Sequence, residues 1–320
     1  MSDDADPPDP PTSSGLQGTV VSDRYRIERE VGRGGMATVF LAHDLKHGRE
    51  VALKFIHAQL ADGLATERFR REIALLASLQ HPHILPLYDS GESDGALFYV
   101  MPFIAGETLR GRLEREHRLP VEDAIRIARE VADALAYAHG HDVIHRDVKP
   151  ENILMLEGHA LVGDFGIARA LDRAAGRRLT DAGFAVGTLS YMSPEQASGD
   201  PVDGRSDLYS LGCVIYEMLT GDVPYSGATA MAVLAQRHTA PVIPVRQRRA
   251  EVPATVDAAV VKALALAPED RFQSIAEFSE ALSRTEPATG SGVAPLRVSP
   301  RVRWIAGALG LAAIATLFFA

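Results

Sequence analysis

Cysteine is almost absent: Cys213 is the only one in 320 residues. A single thiol can build neither a disulfide framework nor a cysteine-based zinc cluster, and a reducing compartment is the simplest reading. Tryptophan also occurs once, and aromatic residues make up 6%. No long basic run exists. Asp and Glu outnumber Lys and Arg by 42 to 33, giving a net charge of −9. Such a chain is poorly suited to a polyphosphate backbone, so no nucleic-acid partner is expected. Eleven histidines are present, but none has the HExxH spacing of a helical zinc site, and no GxxxxGK[ST] phosphate loop occurs. The first residues, MSDDADPPDPPTSS, lack the basic start and apolar run of a signal peptide. They bury too little surface to offset their ordering entropy, so a disordered tail is expected over 1–15.

The whole chain is 46% apolar, enough for one large domain or two ordinary ones. The first part reads as strands over Tyr25–Val31, Thr38–Ala42, Glu50–Ile56, Ile84–Leu87 and Leu97–Ile104. One helix interrupts them, from about Leu64 to Leu79, with Phe69, Ile73 and Leu76 on one face. After Gly106 the pattern turns helical: Val121–His139, Ser206–Thr220, Thr229–His238, Thr255–Leu266 and Gln273–Leu282. A strand-rich lobe (16–104) followed by a helix-rich lobe (105–284) predicts an α+β fold with a cleft between two layers.

Residues 285–301 have linker composition. Beyond them Trp304–Ala320 carries no charge, and as a helix it would span about 25 Å, slightly under the hydrocarbon core. Arg297, Arg301 and Arg303 precede it, placing the preceding domain on the cytoplasmic side. A single transmembrane helix over 302–320 is the expectation, in the cell membrane. The chain stops on apolar Phe318-Phe319-Ala320 without a polar flank, so the expectation is either a tail anchor or the front part of a longer chain.

Three clusters carry chemistry. Gly32-Arg33-Gly34-Gly35 is a glycine-rich turn followed by a strand, Thr38–Ala42. A dinucleotide-binding turn would open a helix instead, so this one reads as a hairpin lid over phosphates. Val51-Ala52-Leu53-Lys54 puts a lysine near the end of the strand Glu50–Ile56, and Glu72 lies beside the apolar stripe of the following helix, where a carboxylate could orient the lysine. Asp147, Lys149 and Asn152 then fall in His145-Arg146-Asp147-Val148-Lys149-Pro150-Glu151-Asn152, and Asp164-Phe165-Gly166 follows.

Together with Ser193-Pro194-Glu195 and Ser206-Asp207-Leu208-Tyr209-Ser210-Leu211-Gly212, these segments stand in the order and spacing of the eukaryotic-like (Hanks-type) protein kinases. From about Tyr25 to Leu282 the chain resembles that family, and in particular the bacterial membrane-anchored Ser/Thr kinases. The resemblance implies a two-lobed kinase fold and transfer of the γ-phosphate of ATP to Ser/Thr hydroxyls of proteins. It also implies Mg²⁺, with Mn²⁺ as a substitute.

Residue by residue, the resemblance implies that Lys54 holds the α- and β-phosphates and pairs with Glu72. Asp164 and Asn152 would bind the metal. Asp147 would accept the substrate hydroxyl proton, and Lys149 would neutralise the γ-phosphate. Val31, Gly32, Arg33, Gly34 and Gly35 would cover the nucleotide. Val39, Ala52 and Leu154 would wall the adenine, Met101 would stand at the back, and Pro102 and Ile104 would form the hinge. Pro102 lacks an N–H, but the family's hinge uses only a carbonyl there, and Ile104 keeps the donor.

Ala37 stands where a third glycine is usual, at some expected cost in loop freedom. Ser193 replaces the usual alanine. Glu195 is expected to pair with Arg271, and Asp207 to organise the backbone of the catalytic loop. In the activation segment Thr180 is the candidate regulatory phosphosite and Thr188 the substrate-docking threonine. The implied partners are protein substrates, the membrane and a second copy of the chain, which would act in trans as a homodimer during autophosphorylation. An ATP-binding pseudokinase scaffold is the alternative.

Overall fold

The computed structural model of the chain describes residues 16–34, 37–57, 63–165 and 189–284. The chain divides into two units, 1–284 and 285–320, and the second lies wholly outside the described residues. So do the 302–320 span and the threonines Thr180 and Thr188. Among the described residues no helix is long and apolar enough to cross a membrane.

The first half builds an antiparallel sheet from β1 (Val20–Val21), β2 (Tyr25–Arg33), β3 (Ala37–Asp44) and β4 (Arg49–Ile56), then a helix, α1 (Gly63–Ser78), then β5 (Asp89–Ser93) and β6 (Ala96–Pro102). The strand order is β1-β2-β3-β4-β6-β5. Side chains alternate across a pleated strand, and β6 shows the consequence. Leu97 and Tyr99 face α1, packed with Ala37, Ile56, Phe69 and Ile73. Phe98 and Val100 face the other way, into a core with Tyr25, Ile27, Phe40 and Leu53.

The apolar stripe expected on the first helix is thus the face α1 buries. The expected strand at Ile84–Leu87 is not one. That segment makes a single parallel bridge, Ile84 to Val162. The edge strand is instead Asp89–Ser93, whose sequence DSGES has no apolar alternation and which pairs with β6 through its backbone.

The second half continues through β7 (Glu107–Thr108), α2 (Leu109–Glu116) and α3 (Val121–His139). A 3₁₀ turn at Pro150–Asn152 leads into the hairpin β8 (Ile153–Leu156) and β9 (His159–Val162). After the undescribed stretch come α4 (Pro194–Ser198), α5 (Gly204–Thr220), α6 (Ala230–Thr239), α7 (Val245–Arg248), α8 (Ala254–Ala263) and α9 (Ile275–Ser283).

α5 is buried on every side from Ser206 to Thr220, as a helix without a polar face must be. It forms the axis of the helical core together with α3, α8 and α9. Cys213 sits in its middle with no exposed surface. Burial pushes its thiol up to about 12, and only a thiolate alkylates readily. Iodoacetamide at neutral pH should therefore leave Cys213 unmodified in the folded protein and modify it fully in urea. Mass spectrometry reads both, and rapid labelling without denaturant would contradict this packing.

Candidate active site

The segment from His145 to Asn152 crosses the cleft edge in an irregular path, and a buried carboxylate from α5 pins it. Asp207 has no exposed surface. Its Oδ2 accepts the His145 N–H at 2.8 Å and its Oδ1 accepts the Arg146 N–H at 2.7 Å. Arg146 is held in the left-handed region at φ 65°, a cost that such over-determined bonding sustains. The His145 ring donates from Nε2 to the Gly163 carbonyl at 2.9 Å, and its Nδ1 accepts the Asp147 N–H at 3.2 Å. One buried imidazole thus joins the loop bearing Asp147 to the loop bearing Asp164.

On this frame the charged side chains converge. Asp147 Oδ2 lies 2.9 Å from Lys149 Nζ. Asn152 Nδ2 donates to Asp147 Oδ2 at 3.1 Å and to the Asp147 carbonyl at 2.8 Å. Asp164, also left-handed at φ 56°, places Oδ1 2.6 Å from Lys54 Nζ and accepts the Tyr99 hydroxyl at 2.9 Å. Burial alone would raise the Asp164 carboxyl. The Lys54 charge and hydrogen bond, with the Tyr99 hydroxyl, hold it below the usual carboxylate range.

The expected Lys54–Glu72 pair is not formed. Glu72 makes no ion pair with Lys54, which is engaged by Asp164 instead. The physical reason lies in how α1 is seated. Phe69 and Ile73 occupy the apolar pocket, and Glu72, at the edge of that stripe, is left half-buried beside it. Helical spacing says which face a residue shares, not how deep the helix sits.

Val39 pairs across the sheet with Lys54, and Ala52 with Met101. Val51 lies opposite Pro102, so the hinge leaves the sheet where these strands end. The Ile104 carbonyl accepts Gly106 N–H at 2.9 Å. Leu154 lies on β8, facing Leu161 and Thr108. In the glycine turn, Val31, Gly32, Arg33 and Gly34 are exposed. Arg33 is paired with Glu30 at 2.9 Å, and Gly34 N–H reaches the Ala37 carbonyl at 2.9 Å. Gly35 lies outside the described residues. Ala37 itself is buried in the α1-facing cluster, so its methyl serves that core and does not lean into the turn.

Glu195 and Arg271 form the expected pair, Oε1 to Nη1 and Oε2 to Nη2 both at 2.8 Å. Ser193 caps α4, its Oγ accepting the Gln196 N–H at 3.3 Å, which an alanine could not do. Several residues that bind these parts together carried no sequence signal. Gln196 Nε2 donates to the Arg146 carbonyl at 2.9 Å. The fully buried Arg237 of α6 donates to the Leu189 carbonyl at 2.9 Å and stacks over the Tyr209 ring. Tyr99, within the apolar run Leu97–Ile104, is another.

A divalent cation would find oxygen donors here and no ready-made cage. Among the described residues no three His, Cys, Asp or Glu gather as a metal site. Among the described residues Asp164 Oδ2 has no hydrogen-bond or ion-pair partner, and the Asn152 amide uses its nitrogen toward Asp147. Mg²⁺ is commonly held this way, by one or two protein oxygens together with substrate phosphates.

The Protein kinase domain family model matches residues 25–282, and the chain belongs to that family. It is 44% identical over 270 residues to Serine/threonine-protein kinase PknB of Mycolicibacterium smegmatis, covering 82% of this chain and 43% of that protein. It is 38% identical over 272 residues to Serine/threonine-protein kinase PrkC of Bacillus subtilis, covering 84% of this chain and 41% of the relative. The chain therefore spans less than half the length of these relatives. The fold matches the crystal structure of Rad53 1–466 in complex with AMP-PNP, with a TM-score of 0.68 at 24% identity, over 81% of this chain and 64% of that one.

Proposed function

We propose that the chain is a serine/threonine protein kinase, transferring the γ-phosphate of ATP to protein hydroxyls with Mg²⁺. The observation that carries this reading is the pairing of Asp147 with Lys149 and Asn152, and of Asp164 with Lys54 of β4, on two loops that the His145 ring ties together and Asp207 braces. Phosphoryl transfer needs mainly positioning and charge stabilisation, and the bound cation would neutralise developing phosphate charge.

Asp164 and Asn152 would hold that cation, and Lys54 would turn from Asp164 to the phosphates. Asp147 would orient the acceptor hydroxyl and take its proton, while Lys149 stays beside it to meet the transferred group. The turn Val31–Gly34, with Val39, Ala52, Leu154 and Met101, would enclose the nucleotide, and Pro102 and Ile104 would border the adenine. The relatives named as Ser/Thr kinases support the acceptor class.

On the same reading the domain faces the cytoplasm, tethered through linker 285–301 by a membrane helix over 302–320. It phosphorylates its own activation segment at Thr180, in trans between two copies, and Thr188 borders the docked substrate.

The test incubates the full chain, reconstituted in vesicles, with ATP and Mg²⁺, and maps phosphosites by mass spectrometry. Phosphate on Thr180 that rises per molecule with protein density is the expected result. Phosphate elsewhere alone would keep the enzyme and discard Thr180; a yield independent of density would discard action in trans. Nucleotide binding without any transfer, acceptor protein included, would make the chain a pseudokinase. Extraction of the protein from vesicles by alkaline carbonate would remove the membrane helix.

A further inference from the structure

We infer that Tyr99 is a positioning residue for Asp164: its hydroxyl fixes one carboxylate oxygen so that the other is presented to a divalent cation. This rests on the kinase reading above.

Tyr99 lies on β6, on the face turned to α1, and its neighbours there are Ala37, Ile56, Phe69, Ile73 and Leu97. All of these are apolar, so packing alone would accept a phenylalanine. The hydroxyl at the far end of the ring donates to Asp164 Oδ1 at 2.9 Å. Lys54 Nζ reaches the same oxygen at 2.6 Å. Both partners therefore lie on Oδ1, and among the described residues none is on Oδ2.

The two anchors differ in kind. Lys54 sits at the end of a flexible four-carbon stem, and the phosphates would draw it away when nucleotide binds. The Tyr99 ring is 5% exposed and clamped between sheet and helix, with only a hydroxyl rotor free. The terminal torsion of an aspartate is broad. Once Lys54 has turned to the phosphates, Tyr99 is the one side chain described here that still restrains the Asp164 carboxylate.

The ring adds a link to α1. It packs on Phe69 and Ile73, which set how that helix sits, so the seating of α1 and the orientation of Asp164 share one rigid body. Tyr99 and Asp164 also line one pocket together with Leu76, Leu87, Met101 and Phe165.

The test is Tyr99→Phe in the full chain, with ADP affinity measured by calorimetry in EDTA and again across a Mg²⁺ titration. Metal-free ADP affinity should match the parent. The Mg²⁺ concentration giving half of the metal-dependent gain should rise about tenfold, the size expected for a lost hydrogen bond to a charged group. Peptide phosphorylation should show the same Mg²⁺ shift, recoverable at high Mg²⁺, with the peptide KM unchanged.

An unchanged Mg²⁺ titration would overturn the inference, because the hydroxyl would then merely satisfy itself in a buried site. Equal weakening with and without metal would overturn it too, as a packing effect. A second variant, Tyr99→Leu, removes ring and hydroxyl together and should add a loss of thermal stability to the same Mg²⁺ shift. If the parent bound no ADP under either condition, the kinase reading itself would fail, and the inference with it.

Discussion

Replacing Asp147 by asparagine should lower kcat for peptide phosphorylation by about 10²- to 10⁴-fold, the range associated with a positioned general base. The exchange preserves shape. An asparagine oxygen can still accept from Asn152 Nδ2, which lies 3.1 Å from Asp147 Oδ2. What disappears is the charge that holds Lys149 Nζ at 2.9 Å and the ability to take a proton. The loop itself should keep its path, because Asp207 and His145 hold it through the backbone of residues 145–147. ATP affinity and melting temperature should therefore stay close to the parent's. Steady-state kinetics with calorimetric ATP binding check both halves. Activity within tenfold of the parent would remove Asp147 from the base role, and a collapse in ATP affinity would make it a nucleotide ligand instead.

That separation of chemistry from scaffold explains what the sequence made legible. Short motifs with obligatory chemistry were readable: Asp147, Lys149, Asn152 and Asp164 stand in fixed local order, and the structure gathers the first three in one cluster and sets Asp164 against Lys54. Helix periodicity located α3 to the residue, because eight of its nineteen residues are buried on one face. Pairings between distant elements were less accessible. Lys54 meets Asp164 and not Glu72 because of how α1 packs on β6, and that seating depends on volumes across the core. The edge strand Asp89–Ser93 carries no sequence signal because backbone pairing to β6 forms it, with no apolar alternation of its own. Ser193 looked like a departure from its family and turns out to satisfy a helix end.

The sequence did pair Glu195 with Arg271, and the structure shows how much rests on that contact. Arg271 is 2% exposed and Glu195 8%. All five guanidinium N–H groups are used: two on Glu195, and three on the carbonyls of Ala265, Arg205 and Leu266. Ser206 donates its hydroxyl to Glu195 Oε1 as well. One side chain therefore ties α4, the start of α5 and the approach to α9. Glu195→Gln keeps the volume and strands the cation, so a loss of about 3 kcal/mol is expected, the low end for breaking a buried pair. For a domain of this size that lowers the melting temperature by roughly 6–12 °C.

The pH dependence has a definite sign. Burial alone would raise the Glu195 carboxyl, but Arg271 and the Ser206 hydroxyl hold it below its ordinary range. A depressed carboxyl contributes stability that is present above its unfolded value, near about 4.3, and lost as pH falls through the folded one. The gap between parent and Glu195→Gln should thus be constant from neutral pH down to about 5 and close only in stronger acid.

The double variant Glu195→Leu with Arg271→Met separates charge from connectivity. Were the cost of the single variant only the stranded charge, an apolar replacement would recover it. Here three backbone carbonyls in part-buried positions would lose their donors at once, and carbonyls shielded from water need partners. The double variant should therefore melt no higher than Glu195→Gln. Recovery to the parent's melting temperature would show that Arg271 balances a charge and does not hold the helical lobe together.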